Sequence, residues 1–456
     1  MRCSSCSRAI EAVNQYHTQW YCEWVDSHHS TEAAVLGEDP SADSNALPLS
    51  GFRVLELGNY IAGPTAARLL ADFGAEVIKV ERPDTGDETR SWRLYSGTTS
   101  MLFRTLNRNK KSIVLDLKTE EGRRSVLDLA ATCDVVVENF RPGTLEKWGI
   151  GPDALDAASP NVVLVRISAF GQTGPLSKRP GFAAVAEAYS GFRELVGDPD
   201  RPPVRVGVSI GDTVAALYAG FGAVMALLHN RSRTIEEGPL PLSSRVIDVA
   251  LSESMFSVLE SLIPDYLAYG VERQRLGGRM EGIAPSNAYT CSDGLSIVVA
   301  GNGDAIFVRY MLAIGRPDLA TDPELSGGAG RWKRRDELDE AIGAWAATAT
   351  RAEALAVLDA AEVPSGPINT AADICTDEQM LSRNMIQQFP VDTGGPDPVS
   401  VGFPGIVPVI GERSVSIRNV GPELGQHTDD ILGELASART DLGGEQVNGG
   451  VRRHRA

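Results

Sequence analysis

Arg53-Val-Leu-Glu-Leu57 is a short β-type run, and Gly63-Pro64 follows it. Ala66, Leu69, Leu70 and Phe73 then fall at i, i+3, i+4 and i+7, and Glu76-Val-Ile-Lys-Val80 reads as a second strand. The middle spacing is one face of a helix, so the stretch is a strand–helix–strand unit. The alternation repeats along the chain: Ser112-Ile-Val-Leu-Asp116, a helix over Glu120 to Ala131, Asp134-Val-Val-Val137 and Asn161-Val-Val-Leu-Val-Arg-Ile167. Strands that alternate with helices imply an α/β fold with a parallel sheet covered on both faces. Ligands of such sheets bind at the carboxyl ends of the strands. The loops to watch are Gly58–Pro64, Glu81–Asp87, Glu138–Gly143 and Ser168–Gly174.

From Asp212 onward, Val214, Leu217, Tyr218, Phe221, Val224, Met225 and Leu228 keep a helical period. Polar and glycine interruptions make this a buried helix rather than a membrane span, for which about 18 consecutive apolar residues are needed. A further helix is expected over Val246 to Tyr266, and a strand pair over Tyr289 to Ala300 about the turn Ser292-Asp293-Gly294. Helices over Ala305–Ile314, Asp336–Ala347 and Arg351–Ala361 follow. The expected division is a disordered extension at 1–47, a large Rossmann-like domain at 48–250, a linker helix region at 251–274, a smaller α+β domain at 275–370, a return to the large domain at 371–437, and a disordered tail at 438–456.

The 456 residues are 43% hydrophobic and 23% charged, with a net charge of −17. So acidic a chain argues against nucleic acid as the main partner, since phosphate binding requires a basic face, and no membrane partner is expected. The six cysteines, at 3, 6, 22, 133, 291 and 375, form no disulfide framework. Cys3 and Cys6 with Cys22 and His17, His28 or His29 allow two readings, a zinc cluster or a disordered or over-extended start, and the second is preferred, so no metal is expected. The first 25 residues read neither as a secretory signal nor as a transit peptide, and the expected compartment is the cytoplasm.

Gly58-Asn-Tyr-Ile-Ala-Gly63 has the wrong spacing for a dinucleotide fingerprint. Phosphate-loop and zinc-protease motifs are missing from the sequence. Basic residues recur near the loop ends: Lys79, Arg82, Arg108, Lys110, Lys111, Lys118, Arg141 and Lys147. A ligand with several phosphates would need such an island.

Six blocks in order carry a family resemblance: Leu57-Gly-Asn-Tyr-Ile-Ala-Gly-Pro64, Gly74-Ala-Glu-Val-Ile-Lys-Val-Glu-Arg82, Asn107-Arg-Asn-Lys-Lys-Ser-Ile113, Val137-Glu-Asn-Phe-Arg-Pro-Gly143, Phe170-Gly-Gln-Thr-Gly-Pro175 and Gly211-Asp212. Leu424-Gly-Gln-His-Thr428 also fits. The pattern resembles the family III CoA-transferases, with the α-methylacyl-CoA racemases as relatives, over residues 49 to 435. The resemblance implies a Rossmann-like large domain, a small domain and a homodimer of interlocked rings. It implies no permanently bound cofactor, with coenzyme A or acyl-CoA as substrate and a small carboxylic acid as the other partner. It would place coenzyme A contacts at Tyr60, Ile61, Ala62, Arg82, Leu115, Lys118, Asn139, Phe140, Arg141, Thr144 and Lys147. The catalytic nucleophile would be Asp212, forming an aspartyl anhydride and then an aspartyl-CoA thioester.

Asp212 has a second reading, since Gly-Asp-Thr before an apolar helix is also an N-cap. The racemase branch uses a histidine where this chain has Phe182, which carries no proton. Ala183 stands where many members have an acid; Glu187, one helical turn on, either compensates or is an ordinary exposed glutamate. Arg205 is either a surface arginine or the partner of an acceptor's second carboxylate. The expected function is CoA transfer from an acyl-CoA, such as succinyl-CoA, to a carboxylic acid. A CoA-binding protein with weak or no catalysis is the alternative, and a racemase is a lesser one.

Overall fold

The computed structural model describes residues 47–96, 99–233, 238–411 and 415–444. The amino-terminal cysteines and histidines lie outside them. Six strands form one parallel sheet: β1 (Arg53–Glu56), β2 (Glu76–Glu81), β3 (Lys110–Val114), β4 (Val135–Glu138), β5 (Val163–Ser168) and β6 (Val246–Ala250). Their order is β3-β2-β1-β4-β5-β6. This is a doubly wound sheet, with its switch point between β1 and β4. Every residue of β4 and β5 is buried, as expected of strands covered on both faces. Helices α1 (Ala62–Asp72), α3 (Ala183–Tyr189) and α4 (Ile210–Arg231) share one apolar core with the sheet, and α2 (Glu120–Ala130) belongs to the other. The α/β class expected from the sequence is the one observed.

Helix α4 corrects one expectation. Its large apolar residues Leu217, Tyr218, Phe221, Val224, Met225 and Leu228 are exposed, with Phe221 at 62% and Leu228 at 69%. The buried face is instead Ala215, Ala216, Ala219, Gly220, Gly222, Ala223 and Ala226. Small residues let the helix lie close to the alanine-rich α1 and to the sheet. A Cβ at Gly222 would sit 2.7 Å from Ile247 Cγ2. By length and composition α4 could cross a membrane, and half of its most apolar window is buried.

The helix expected over Val246 to Tyr266 is also corrected. Val246–Ala250 is the sixth strand, and the helical part divides into α5 (Leu251–Phe256) and α6 (Leu262–Tyr269). The strand passes into α5 with no intervening turn residue, so the apolar run conceals the boundary.

A smaller α+β domain follows. Strands β7 (Ser286–Thr290) and β8 (Ser296–Ala300) pair antiparallel, and β9 (Ser365–Pro367) joins on the far side of β8. In the turn between β7 and β8, Gly294 takes φ 77°, which glycine adopts at no steric cost. Helices α7 (Asp304–Ala313), α8 (Arg335–Ala346) and α9 (Arg351–Ala360) pack on this sheet around Ile297, Val299, Tyr310, Leu338 and Leu358.

The chain then comes back to the large sheet. The last helix, α10 (Thr428–Gly444), sends Ile431 and Leu435 into the core beside α2. The tail expected from 438 therefore remains helical to Gly444. Just before α10, the chain covers the open edge of β3. The Ser112 N–H donates to His427 Nδ1 at 3.2 Å and the Val114 N–H to Thr428 Oγ1 at 3.0 Å. Burial and the Lys111 charge hold His427 below its ordinary value, so its imidazole is neutral and free to accept.

Candidate active site

The carboxyl ends of β3, β2, β1 and β4 open into a cleft of about 350 Å³. Its walls are Leu57, Asn59 and Tyr60 after β1, Val80, Glu81, Arg82 and Glu88 from β2 onward, Leu115, Asp116, Leu117 and Lys118 after β3, and Phe140 and Trp148 after β4. Phe140 and Trp148 meet edge to face, with centroids 5.2 Å apart, and give the cleft an aromatic wall against which a heterocyclic base can pack. Arg82 is half exposed; its guanidinium donates to Gly86 O at 2.9 Å and pairs with Glu88 at 2.9 Å. Lys118 is exposed at the rim.

Three of the eight residues of the supposed basic island are absorbed elsewhere. Lys79 is fully buried, with its ammonium 2.8 Å from both Glu56 Oε1 and Asp87 Oδ2 and 2.7 Å from Gly58 O. Lys110 is buried too, 2.7 Å from Glu56 Oε2 and from Pro64 O. Arg108 pairs with Asp72 at 2.7 Å. A cation buried without a partner is costly, so these side chains are structural and unavailable to phosphates. Burial lowers Lys110 to about 8 against the pull of Glu56. What the lysines hold is the loop after β1, gripped at its two ends through Gly58 O and Pro64 O. The same loop is clamped from β4, where Asn139 accepts from the Asn59 N–H at 2.8 Å and donates to Asn59 O at 2.7 Å.

Tyr60, at the centre of that loop, takes φ 63°, a left-handed conformation that costs an aromatic residue of order 1–3 kcal/mol. The loop contacts on either side enforce it. Its ring meets Trp92 at 5.6 Å and Phe182 edge to face at 5.7 Å. Phe182 is 66% exposed and immediately precedes α3. Next to it, Ala183 packs against Gly211, where an added Cβ would lie 3.2 Å from the Ala183 Cβ. A continuous line of contacts thus runs from the cleft through Tyr60 and Phe182 to the first turn of α4, which carries Asp212.

Asp212 is not the cap of α4. The N-cap is Ser209, and Asp212 is the third residue of the helix. Among the described residues its carboxylate makes no hydrogen bond and no ion pair. Burial, then the nearby Glu187 carboxylate, push it up to about 6, with Arg205 pulling the other way. Such a carboxylate is ionised at neutral pH yet more basic than an ordinary aspartate, which favours nucleophilic attack. Glu187 is 1% exposed, not the solvated glutamate that helical spacing also allowed. Arg205 is exposed and has no ion pair among the described residues.

Tyr60, Arg82, Leu115, Lys118 and Phe140 are therefore brought together around one cleft. Ile61 and Ala62 are buried at the start of α1, and the Asn139 side chain is spent on its clamp. Arg141, Thr144 and Lys147 follow Phe140 in the chain but lie outside the cleft lining. Sequence reading missed Trp148, Trp92 and Glu88. Trp148 stands eight residues beyond Phe140, a spacing with no local periodic meaning.

Ligands of doubly wound sheets settle at the switch point, where this cleft opens, and the fold is that of an α/β enzyme. The chain belongs to CoA-transferase family III, whose model matches residues 49–428. It is a CoA-transferase. A succinyl-CoA–D-citramalate CoA-transferase of Chloroflexus aurantiacus is 41% identical over 396 residues, covering 86% of this chain and 95% of that protein. The alpha subunit of a succinyl-CoA–L-malate CoA-transferase of the same organism is 35% identical over 412 residues, 90% of this chain and 92% of the other. A crystal structure of a CaiB/BaiF family protein from Brucella suis superposes with a TM-score of 0.73 at 33% identity, covering 85% of this chain and 99% of that one.

Proposed function

We propose that the protein moves coenzyme A from succinyl-CoA to a small dicarboxylic acid, with Asp212 as nucleophile. The observation that carries this reading is an unbonded carboxylate, raised to about 6, at the end of a contact path from the cleft. The relatives named for citramalate and malate support a short dicarboxylate as acceptor. In the cleft, Phe140 and Trp148 would hold the adenine, with Arg82 and Lys118 facing its phosphates.

The Asp212 carboxylate attacks the thioester carbonyl and forms a succinyl–aspartyl anhydride, expelling the CoA thiolate. The thiolate attacks the aspartyl carbonyl, giving an aspartyl-CoA thioester and free succinate. The acceptor carboxylate then displaces the thiolate to form a second anhydride. The thiolate attacks its acceptor carbonyl, which releases the new acyl-CoA and restores Asp212. Arg205, which has no ion pair among the described residues and acts electrostatically on Asp212, would bind the far carboxylate of donor and acceptor alike. Phe182 has no proton to exchange with an α-carbon, which disfavours racemisation.

Borohydride quenching during turnover with succinyl-CoA tests the mechanism. A reduced, lighter residue at position 212 in the peptide mass spectrum is expected. An unmodified Asp212 in protein that binds coenzyme A would leave only a binding role.

We also propose a homodimer. Helix α6 has no buried residue although Leu267 is 76% and Tyr269 80% exposed, and the apolar face of α4 is open as well. Exposed apolar helix faces of this kind mark association. Sedimentation of the purified chain should give twice its mass. A monomer would point instead to an unlike partner chain, as the alpha-subunit name of one relative suggests.

A further inference from the structure

We propose that Glu187, held by Arg193, is the positioning residue of the nucleophile: it caps α4 from the neighbouring helix and leaves the Asp212 carboxylate unbonded for attack. The proposal rests on the reading of Asp212 as nucleophile and concerns how the fold keeps it available.

A helix begins with backbone donors that its own ladder does not use. Ordinarily a side chain at the N-cap accepts from one of them, and an acid at the third position often reaches back as well. Helix α4 does neither. Ser209 makes no side-chain cap bond, and the Asp212 carboxylate, at the third position, makes no hydrogen bond among the described residues. The donor is met from outside: Glu187 Oε1 lies 3.4 Å from the Gly211 N–H. Its other oxygen, Oε2, accepts from Arg193 Nη2 at 3.1 Å. Arg193 follows α3 in the chain and is a quarter exposed, so the buried carboxylate has a counter-charge that touches solvent.

This approach requires two small residues. A Cβ at Gly211 would sit 3.2 Å from Glu187 Oε1, 3.3 Å from its Cγ and 3.2 Å from the Ala183 Cβ. Glycine at 211 and alanine at 183 are therefore what allow α3 to bring its glutamate against the start of α4. Ala183, the departure from the acid common at this position, becomes part of the device: the acid is supplied one turn later and serves the helix end.

The chemical consequence follows from charge. The charged groups acting on Asp212 are Glu187 from α3 and Arg205 from the segment before α4. Glu187 disfavours ionisation of Asp212, and Arg193 limits that effect by neutralising Glu187. A carboxylate bonded to its own helix end would be ionised more readily but would be a weaker nucleophile.

The test compares the pH dependence of kcat/KM for the wild type, Glu187→Gln and Arg193→Met, with succinyl-CoA and a dicarboxylate acceptor. Glu187→Gln keeps the shape and an acceptor oxygen but removes the charge. It should move the acid limb of the profile, near pH 6 in the wild type, down by about one pH unit. Its kcat should fall about tenfold, with the KM for succinyl-CoA little changed. Arg193→Met exposes Asp212 to an unneutralised Glu187 and should move the limb up. Its partly exposed side chain keeps the test open if Glu187→Gln does not fold. Opposite displacements are the signature, because a mere packing role would lower activity without moving the limb. If both variants keep the wild-type limb, the proposal is overturned whatever the loss of rate. Borohydride trapping on the wild type runs alongside; if it gives no Asp212 adduct, the functional reading fails and the proposal with it.

Discussion

With Asp212 as the proposed nucleophile, Asp212→Asn is expected to lower CoA exchange by at least about 1,000-fold, because an amide would form neither the anhydride nor the thioester. The same substitution makes the protein more stable. In the fold Asp212 takes up its proton near pH 6, against 3.8 for an ordinary aspartate. Between those values the folded state binds more protons than the unfolded one, so wild-type stability falls as pH rises through that window. Full conversion gives about 3 kcal/mol, and partial exposure of the site reduces this to about 1–2 kcal/mol at neutral pH. Asparagine is uncharged and escapes the loss. Thermal unfolding of both proteins at neutral pH and below pH ~4 checks the sign, since the advantage must vanish where the wild-type carboxyl is protonated in both states. An inactive variant without the neutral-pH gain would show that Asp212 is not held in a disfavoured charge state.

Glu56→Gln destabilises the fold by about 3–5 kcal/mol, the usual cost of stranding buried charge. One carboxylate stands between two buried ammonium groups, 2.8 Å from Lys79 and 2.7 Å from Lys110. Glutamine retains the shape and removes the carboxylate that bridges the two cations, leaving Lys79 with Asp87. Lys110, already lowered to about 8, then sheds its proton more readily, which caps the cost. The Lys110 part of the deficit is accordingly largest at low pH and shrinks as pH rises to about 8, above which this lysine is neutral in both folded proteins. Denaturant midpoints at neutral and alkaline pH read this directly. Because the same ammonium groups hold Gly58 O and Pro64 O, the KM for acyl-CoA should rise about tenfold as the Tyr60 loop loosens. A midpoint shift under ~1 kcal/mol would mean the network is not held by Glu56.

The sheet was legible because parallel strands buried on both faces read as plain runs of Val, Ile and Leu, as in Val135–Glu138 and Val163–Ser168. Where a strand runs straight into a helix at Ala250–Leu251, no punctuating residue marks the change, and 246–250 reads as helix. For α4, periodicity revealed the helix but not which face is inward; the alanines win because close approach to α1 demands small residues. In the candidate site, motif order indicated Tyr60, Arg82, Phe140 and Asp212. The fate of the lysines was hidden, since their shared partner Glu56 lies 23 residues from Lys79 and 54 from Lys110. Only three-dimensional proximity distinguishes a phosphate-binding lysine from one that braces a loop.

The cover over β3 has a consequence for how the chain is made. Val114 waits for Thr428, 314 residues further on, to satisfy its N–H. At a synthesis rate of about 5–20 residues per second, that edge of the nascent sheet stays unpaired for roughly 15–60 s. An open strand edge is a template for pairing with other chains. The period of greatest risk for this protein therefore falls on the ribosome, and it ends only when the last helix emerges and docks.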